Sequence, residues 1–151
     1  MPNEAKPSLG RHIMALVYDT FLVVPIIMLT TALLMGVYVT ILPPPEAQND
    51  VVALPPTLVQ SGAFLSMALF YLIFWRRGGQ TLGMQAWRIR LVDISGAQAS
   101  TSQLILRLVA AVPAYGLVGL GLLWRFVDRD GLYLHDRVSG TTLVQLPKAN
   151  S

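Results

Sequence analysis

Residues 13–42, IMALVYDTFLVVPIIMLTTALLMGVYVTIL, run for 30 positions with Asp19 as the only charged side chain. A membrane-spanning helix needs about 20 predominantly apolar residues, so this run can cross a bilayer with tilt or with a kink at Pro25. Lys6 and Arg11 precede it, as basic residues precede a signal peptide. A cleavable apolar region is only about 7–15 residues long, so the run reads as an uncleaved anchor. Its helix is expected over 9–42, after a flexible polar tail at 1–8 with Ser8 as the cap.

Outward from this anchor, PPPEAQND (43–50) forms a polar loop, and Val51–Trp75 is a second run without any charge. Its helix is expected over 57–75, after Pro55-Pro56, and it ends at Trp75-Arg76-Arg77, an interfacial aromatic followed by basic residues. The composition agrees: 54% hydrophobic and 13% charged, where a soluble domain carries about 25% charged residues. The net charge of +3 is modest. The Lys and Arg residues flank apolar runs instead of covering one solvated face, which excludes nucleic acid as the partner. The chain has no cysteine and only two histidines, so thiol chemistry is excluded and neither a metal nor a cofactor is expected.

After the second run the pattern changes. RIRLVDI (88–94) alternates and is followed by a turn, and a second short strand is expected over 142–146. Ser100 and Gln103 are spaced as a capping box that opens a third helix, expected over 102–126 and broken near Pro113–Gly116. Its apolar core, Leu108–Trp124, is only 17 residues long. Lys and Arg number two through His12, none in 43–56, four in 76–103 and four after Trp124. The positive-inside rule then puts the first loop outside and the other three segments inside, which three crossings cannot satisfy. A re-entrant third segment can, provided its irregular backbone is buried against protein. It also allows the two strands to pair. The alternative is three crossings with the rule broken once.

Asp19 lies roughly 10 Å inside the first apolar segment at 1.5 Å per residue, where a charge needs a partner or a function. Arg11 is eight residues away, too far along the axis to reach it. Arg107, entering from the same side on the third helix, is the expected partner. Asp19 is then either a proton- or cation-binding carboxylate or half of a structural clamp. His12 lies on the same helical face as Asp19 and is a candidate proton relay or a headgroup contact. Pro25 frees the Phe21 carbonyl as a candidate cation ligand. Asp136, in Leu134-His135-Asp136-Arg137, is expected in a capped turn paired with Arg11, because a metal hydrolase would need more histidines. GGQTLGM (78–84) lacks the Lys-Ser/Thr of a phosphate loop and reads as a tight turn. Small residues from Ala110 to Gly121 permit close helix packing, within the hairpin or in a dimer. No nucleophile–base–acid set is present, so no enzyme is expected.

In order and spacing the motifs LGRHIMALVYD, GGQTLGMQAWRIRLVD, LILRLVAAVPAYGLVGL and LHDRVSGTTLV resemble the RDD family of small membrane proteins, named for one arginine and two aspartates. The resemblance covers nearly the whole chain and points to Arg11, Asp19, Arg107 and Asp136. Met84 stands where many members carry a lysine, so a lipid or anion contact assigned to that lysine does not transfer. The resemblance implies a bacterial inner-membrane protein linked either to cation/proton antiport or to an accessory or assembly role.

The expected architecture is therefore an all-α integral membrane protein. It has two transmembrane helices, a broken or re-entrant third hydrophobic segment, and a small cytoplasmic β pairing within one domain (1–151). Its N-terminus is cytoplasmic. Transport-related cation/proton exchange is the leading function and a non-transporting scaffold or assembly factor the second. The expected site is Asp19, Arg11, Arg107, Asp136 and His12. The expected partners are the lipid bilayer, a homo-oligomer or other membrane protein, and a monovalent cation or proton.

Overall fold

Helix α1 (Leu9–Ile41) begins where the Ser8 hydroxyl accepts from the Arg11 N–H at 3.4 Å. It is one of six helices described by a computed structural model that covers residues 5–41, 53–116 and 120–147. Helix α1 runs through Pro25 without ending. Helix α2 (Pro56–Gly78) carries Arg76 and Arg77 in its last turn, where cations complement the orphan carbonyls. The loop expected at 43–50 lies outside the described residues.

The chain divides into two compact units, Met1–Asp19 with Tyr71–Ser151, and Thr20–Phe70. In the second, α1 and α2 approach closely at Gly62, where a β-carbon would sit 2.7 Å from Leu34 Cδ1. The Ser66 and Thr30 hydroxyls meet there at 2.9 Å. Small and hydroxyl-bearing contacts of this kind join helices that gain nothing from hiding apolar surface from lipid.

The first unit holds every other element. Gly79, at φ 70, turns the chain out of α2. Thr81 then caps α3 (Leu82–Ala86) by accepting from the Met84 N–H at 3.1 Å. The stretch expected as a tight turn is thus a turn followed by a five-residue helix. Strand β1 (Ile89–Asp93) pairs antiparallel with β2 (Thr141–Gln145), with Leu91 opposite Leu143. The expected capping box forms at α4 (Thr101–Gly116): the Ser100 N–H donates to Gln103 Oε1 at 2.9 Å, and the Gln103 N–H donates to Ser100 Oγ at 3.3 Å.

Helix α4 runs through Pro113 and ends at Gly116, the far end of the Pro113–Gly116 stretch where the break is expected. The proline ring removes one N–H donor, and the helix absorbs that loss. The chain then folds back through α5 (Leu120–Leu123) and a 3-10 turn (Trp124–Phe126). A β-carbon on Gly121 would stand 2.3 Å from Ala114 Cβ, so only glycine permits this approach. Helix α6 (Leu134–Ser139) ends at Gly140 in the left-handed conformation, φ 63, and leads into β2. Ala15, Trp75, Met84, Ile89, Leu91, Leu104, Tyr133 and Leu143 form the core of this unit.

Candidate functional site

The interior of the first unit contains two polar clusters, each built around one aspartate. In the first, Asp19 is 1% exposed and faces the start of α3. Its Oδ2 accepts from the Thr81 hydroxyl at 2.6 Å and its Oδ1 from the Gly83 N–H at 2.9 Å. An anion at a helix start meets free N–H groups and the positive end of the dipole, so a carboxylate is stabilised there without a cation. Gly83 makes the contact possible, because a β-carbon on it would lie 2.2 Å from the Ala15 carbonyl oxygen.

In the second cluster, Arg107 is 3% exposed and forms an ion pair with Asp136. It also donates to Thr141 Oγ1 at 2.8 Å and lies over the Trp75 ring at 5.5 Å. The other oxygen of Asp136 accepts from the Tyr133 N–H at 3.3 Å, which places Asp136 at the start of α6. Ser139 Oγ meets Thr141 Oγ1 at 2.7 Å. Arg125 donates to the Pro7 carbonyl at 2.6 Å and to the Tyr133 hydroxyl at 2.9 Å. A buried charge pair is tolerable only when further hydrogen bonds support it, and here Thr141 accepts from Arg107 while the Tyr133 N–H donates to Asp136.

Three expectations are corrected. Asp19 and Arg107 are not partners: the carboxylate is held by Thr81 and Gly83, and the guanidinium by Asp136 and Thr141. Asp136 does not pair with Arg11, which is exposed and forms no ion pair among the described residues. His12 is no headgroup contact. It is 5% exposed, with its ring edge against Tyr133 at 4.7 Å.

Tyr133 stacks in turn on His135 at 5.6 Å. Burial first, and then the positive field of Arg107, holds the His135 imidazole far below its ordinary value of 6.5, at about 2. It is therefore neutral at physiological pH. Beside Asp136 opens a cleft of about 470 Å³, lined in part by Lys6, Asp130, Arg137 and Thr142. Its charges engage one another: Arg137 pairs with Asp130 at 2.6 Å and with Asp128 at 3.5 Å, and Lys6 donates to the Asp130 carbonyl.

Sequence reasoning missed Thr81, Gly83, Tyr133 and Thr141. None carries a charge, although Thr81 stands where an N-cap would.

The two long helices have mean hydropathy of 2.3 and 1.7, and only 6% and 11% of their most apolar stretches are buried. A core helix of a soluble protein would be covered. A cleaved leader would take with it His12, Ala15 and Asp19, all buried in the first unit. No curated protein and no solved structure matches the chain. The family model described as "RDD family" matches residues 6–140, nearly the whole chain. Lipid-compatible helices and this match together make the chain a membrane protein that belongs to the RDD family.

Proposed function

We propose that this chain is a non-transporting scaffold or assembly factor of the bacterial inner membrane, acting with another membrane protein or a second copy of itself. One observation carries the reading: all four oxygens of the two buried aspartates among the described residues already accept from groups of the same chain. A transporting carboxylate must release its partner to an ion or proton and reach an aqueous path. An ion or proton taken up by Asp19 would have to share the oxygens that already hold Thr81 and Gly83, the groups that attach α3 to α1.

The asymmetry of Lys and Arg supports a cytoplasmic N-terminus. The fold-back of α5 on α4 and the pairing of β1 with β2 support a third segment that returns without crossing. Cation/proton exchange through Asp19 has in its favour the depth of the carboxylate and the antiport that the family resemblance implies as one of two roles.

Flux in vesicles tests the choice. The purified chain should move no sodium or potassium against a proton gradient beyond protein-free vesicles, and Asp19→Asn should alter the amount of folded protein alone. Proton-coupled cation flux that disappears in Asp19→Asn at normal abundance would reverse the reading.

A further inference from the structure

Helix α4 is apolar on its outer face and buries its one charge. Leu104, Arg107, Ala110 and Ala114 face the protein at 0%, 3%, 9% and 1% exposure, whereas Ile105, Val109 and Val112 face outward at 48%, 60% and 51%. A surface helix in water turns its apolar stripe inward and its polar residues out. Here the guanidinium is inside and the branched aliphatics are outside. The return limb continues the pattern, with Leu123, Trp124, Phe126 and Val127 at 51%, 45%, 71% and 79% exposure.

Both ends of this apolar surface are tied to one boundary. At the start, Thr101 accepts from Arg76, the basic residue that closes α2. At the finish, Arg125 donates to the carbonyl of Pro7, two residues before α1 begins. The chain then becomes polar at Asp128, whose carboxylate accepts from the N–H groups of Asp130 and Leu132 at 3.0 Å each. The segment from Thr101 to Arg125 therefore leaves and rejoins the level that the start of α1 and the end of α2 define. Its depth is limited as well. From Thr101 to Val112, the last of the outward residues, the helix rises about 17 Å at 1.5 Å per residue, roughly to the middle of a hydrocarbon core of about 30 Å, and its end at Gly116, about 22 Å from Thr101, is short of the far side.

We propose that the α4–α5 hairpin is a wedge whose outer face packs against the acyl chains of the leaflet on the N-terminal side. Outward apolar residues also stand on α1 and α2 in the same unit, with Ile13, Val17 and Ile73 at 43%, 41% and 46% exposure. A helix that spans both leaflets displaces lipid equally from each. This hairpin adds volume to one leaflet only, which gives the chain a grip on lipid packing that its two spanning helices lack. The inference rests on the membrane reading but not on whether the chain transports.

The chain contains no cysteine, so each single-cysteine variant of the full chain carries one thiol. Ile105→Cys, Val109→Cys and Val112→Cys, labelled with bimane and reconstituted in phosphatidylcholine–phosphatidylglycerol vesicles, should lose most of their emission when the lipids are brominated along the acyl chain. Ser95→Cys, on an exposed turn, should keep its emission. With a membrane-impermeant maleimide, Ser8→Cys and Asp130→Cys should label from one side, and Gln48→Cys from the other. The wedge is overturned if Asp130→Cys labels together with Gln48→Cys, which would mean a full crossing. It is equally overturned if the three bimane sites are indifferent to bromolipid, or if Val109→Cys cross-links between copies and is shielded from lipid. Flux through the vesicles would end the scaffold reading and leave the wedge intact.

Discussion

Asp19 and Gly83 are in contact so close that the glycine has no room for a side chain: a β-carbon would stand 2.8 Å from the carboxylate Oδ1. Gly83→Ala should therefore push α3 off α1 and break the N–H bond to Asp19. Overpacking at such a site costs about 1–3 kcal/mol. At Gly10, in the same helix as Asp19, an added β-carbon would meet nothing within 4 Å, and Gly10→Ala should be neutral or stabilising by a few tenths of a kcal/mol to about 1 kcal/mol. Thermal melting of the two variants in detergent separates them. Equal midpoints would show that the Asp19–Gly83 contact is not needed.

The donors to Asp19 lead to a second expectation. Asp19→Ala leaves the Thr81 hydroxyl and the Gly83 N–H buried without an acceptor, at about 1–3 kcal/mol for each unsatisfied group. A double-mutant cycle of Asp19→Ala with Thr81→Val should give a coupling of about 0.5–3 kcal/mol. The cycle of Asp19→Ala with Arg107→Met should give little, because the two side chains have separate partners. Strong coupling in the second cycle would restore the Asp19–Arg107 pair.

Arg107 and Asp136 should behave as a unit. Removing either partner leaves the other charge buried, at about 3–5 kcal/mol, whereas replacing both with apolar side chains is often neutral. Arg107→Met and Asp136→Leu should each sharply reduce folded protein, and the double variant should recover much of it. The recovery will be incomplete, because Thr141 loses a donor and the Tyr133 N–H an acceptor. A double variant no better than either single would mean that the charges themselves are required.

How far these contacts could be read beforehand depends on which physical signal each one leaves. The two long helices, both strands and the Ser100–Gln103 capping box follow from run length, alternation and local spacing, and all are present near their expected positions. The partners of the charges are different. Depth along a helix can be counted from residues, but the azimuth of Asp19 and Arg107 depends on which segments pack beside them. The presence of Arg107 at a similar depth made an ion pair the obvious solution. The molecule instead meets Asp19 with a hydroxyl and a backbone N–H, neither of which has any charge to betray it. Within the Pro113–Gly116 stretch the proline stays inside α4 and the helix stops at Gly116, because a missing donor disrupts a helix only where nothing else in the surroundings accommodates it.

The buried imidazole of His135 makes stability depend on pH in a defined direction. Its pKa in the folded chain is depressed, from 6.5 to about 2, by burial first and by Arg107 next. The unfolded chain therefore takes up a proton near pH 6.5 that the folded chain refuses. The stabilisation is fully present above 6.5 and is lost as pH falls from there toward the folded value. Charging His135 would place a cation beside Arg107, with Asp136 already engaged by that arginine. Between pH 6 and pH 5 the folded state should weaken by up to about 1.4 kcal/mol per pH unit for each such proton. His135→Phe keeps a ring against Tyr133 and removes the titration. Its melting temperature should fall less steeply over that interval than that of the parent chain. Identical pH profiles for the two proteins would mean that His135 is not the group whose charging opens the fold.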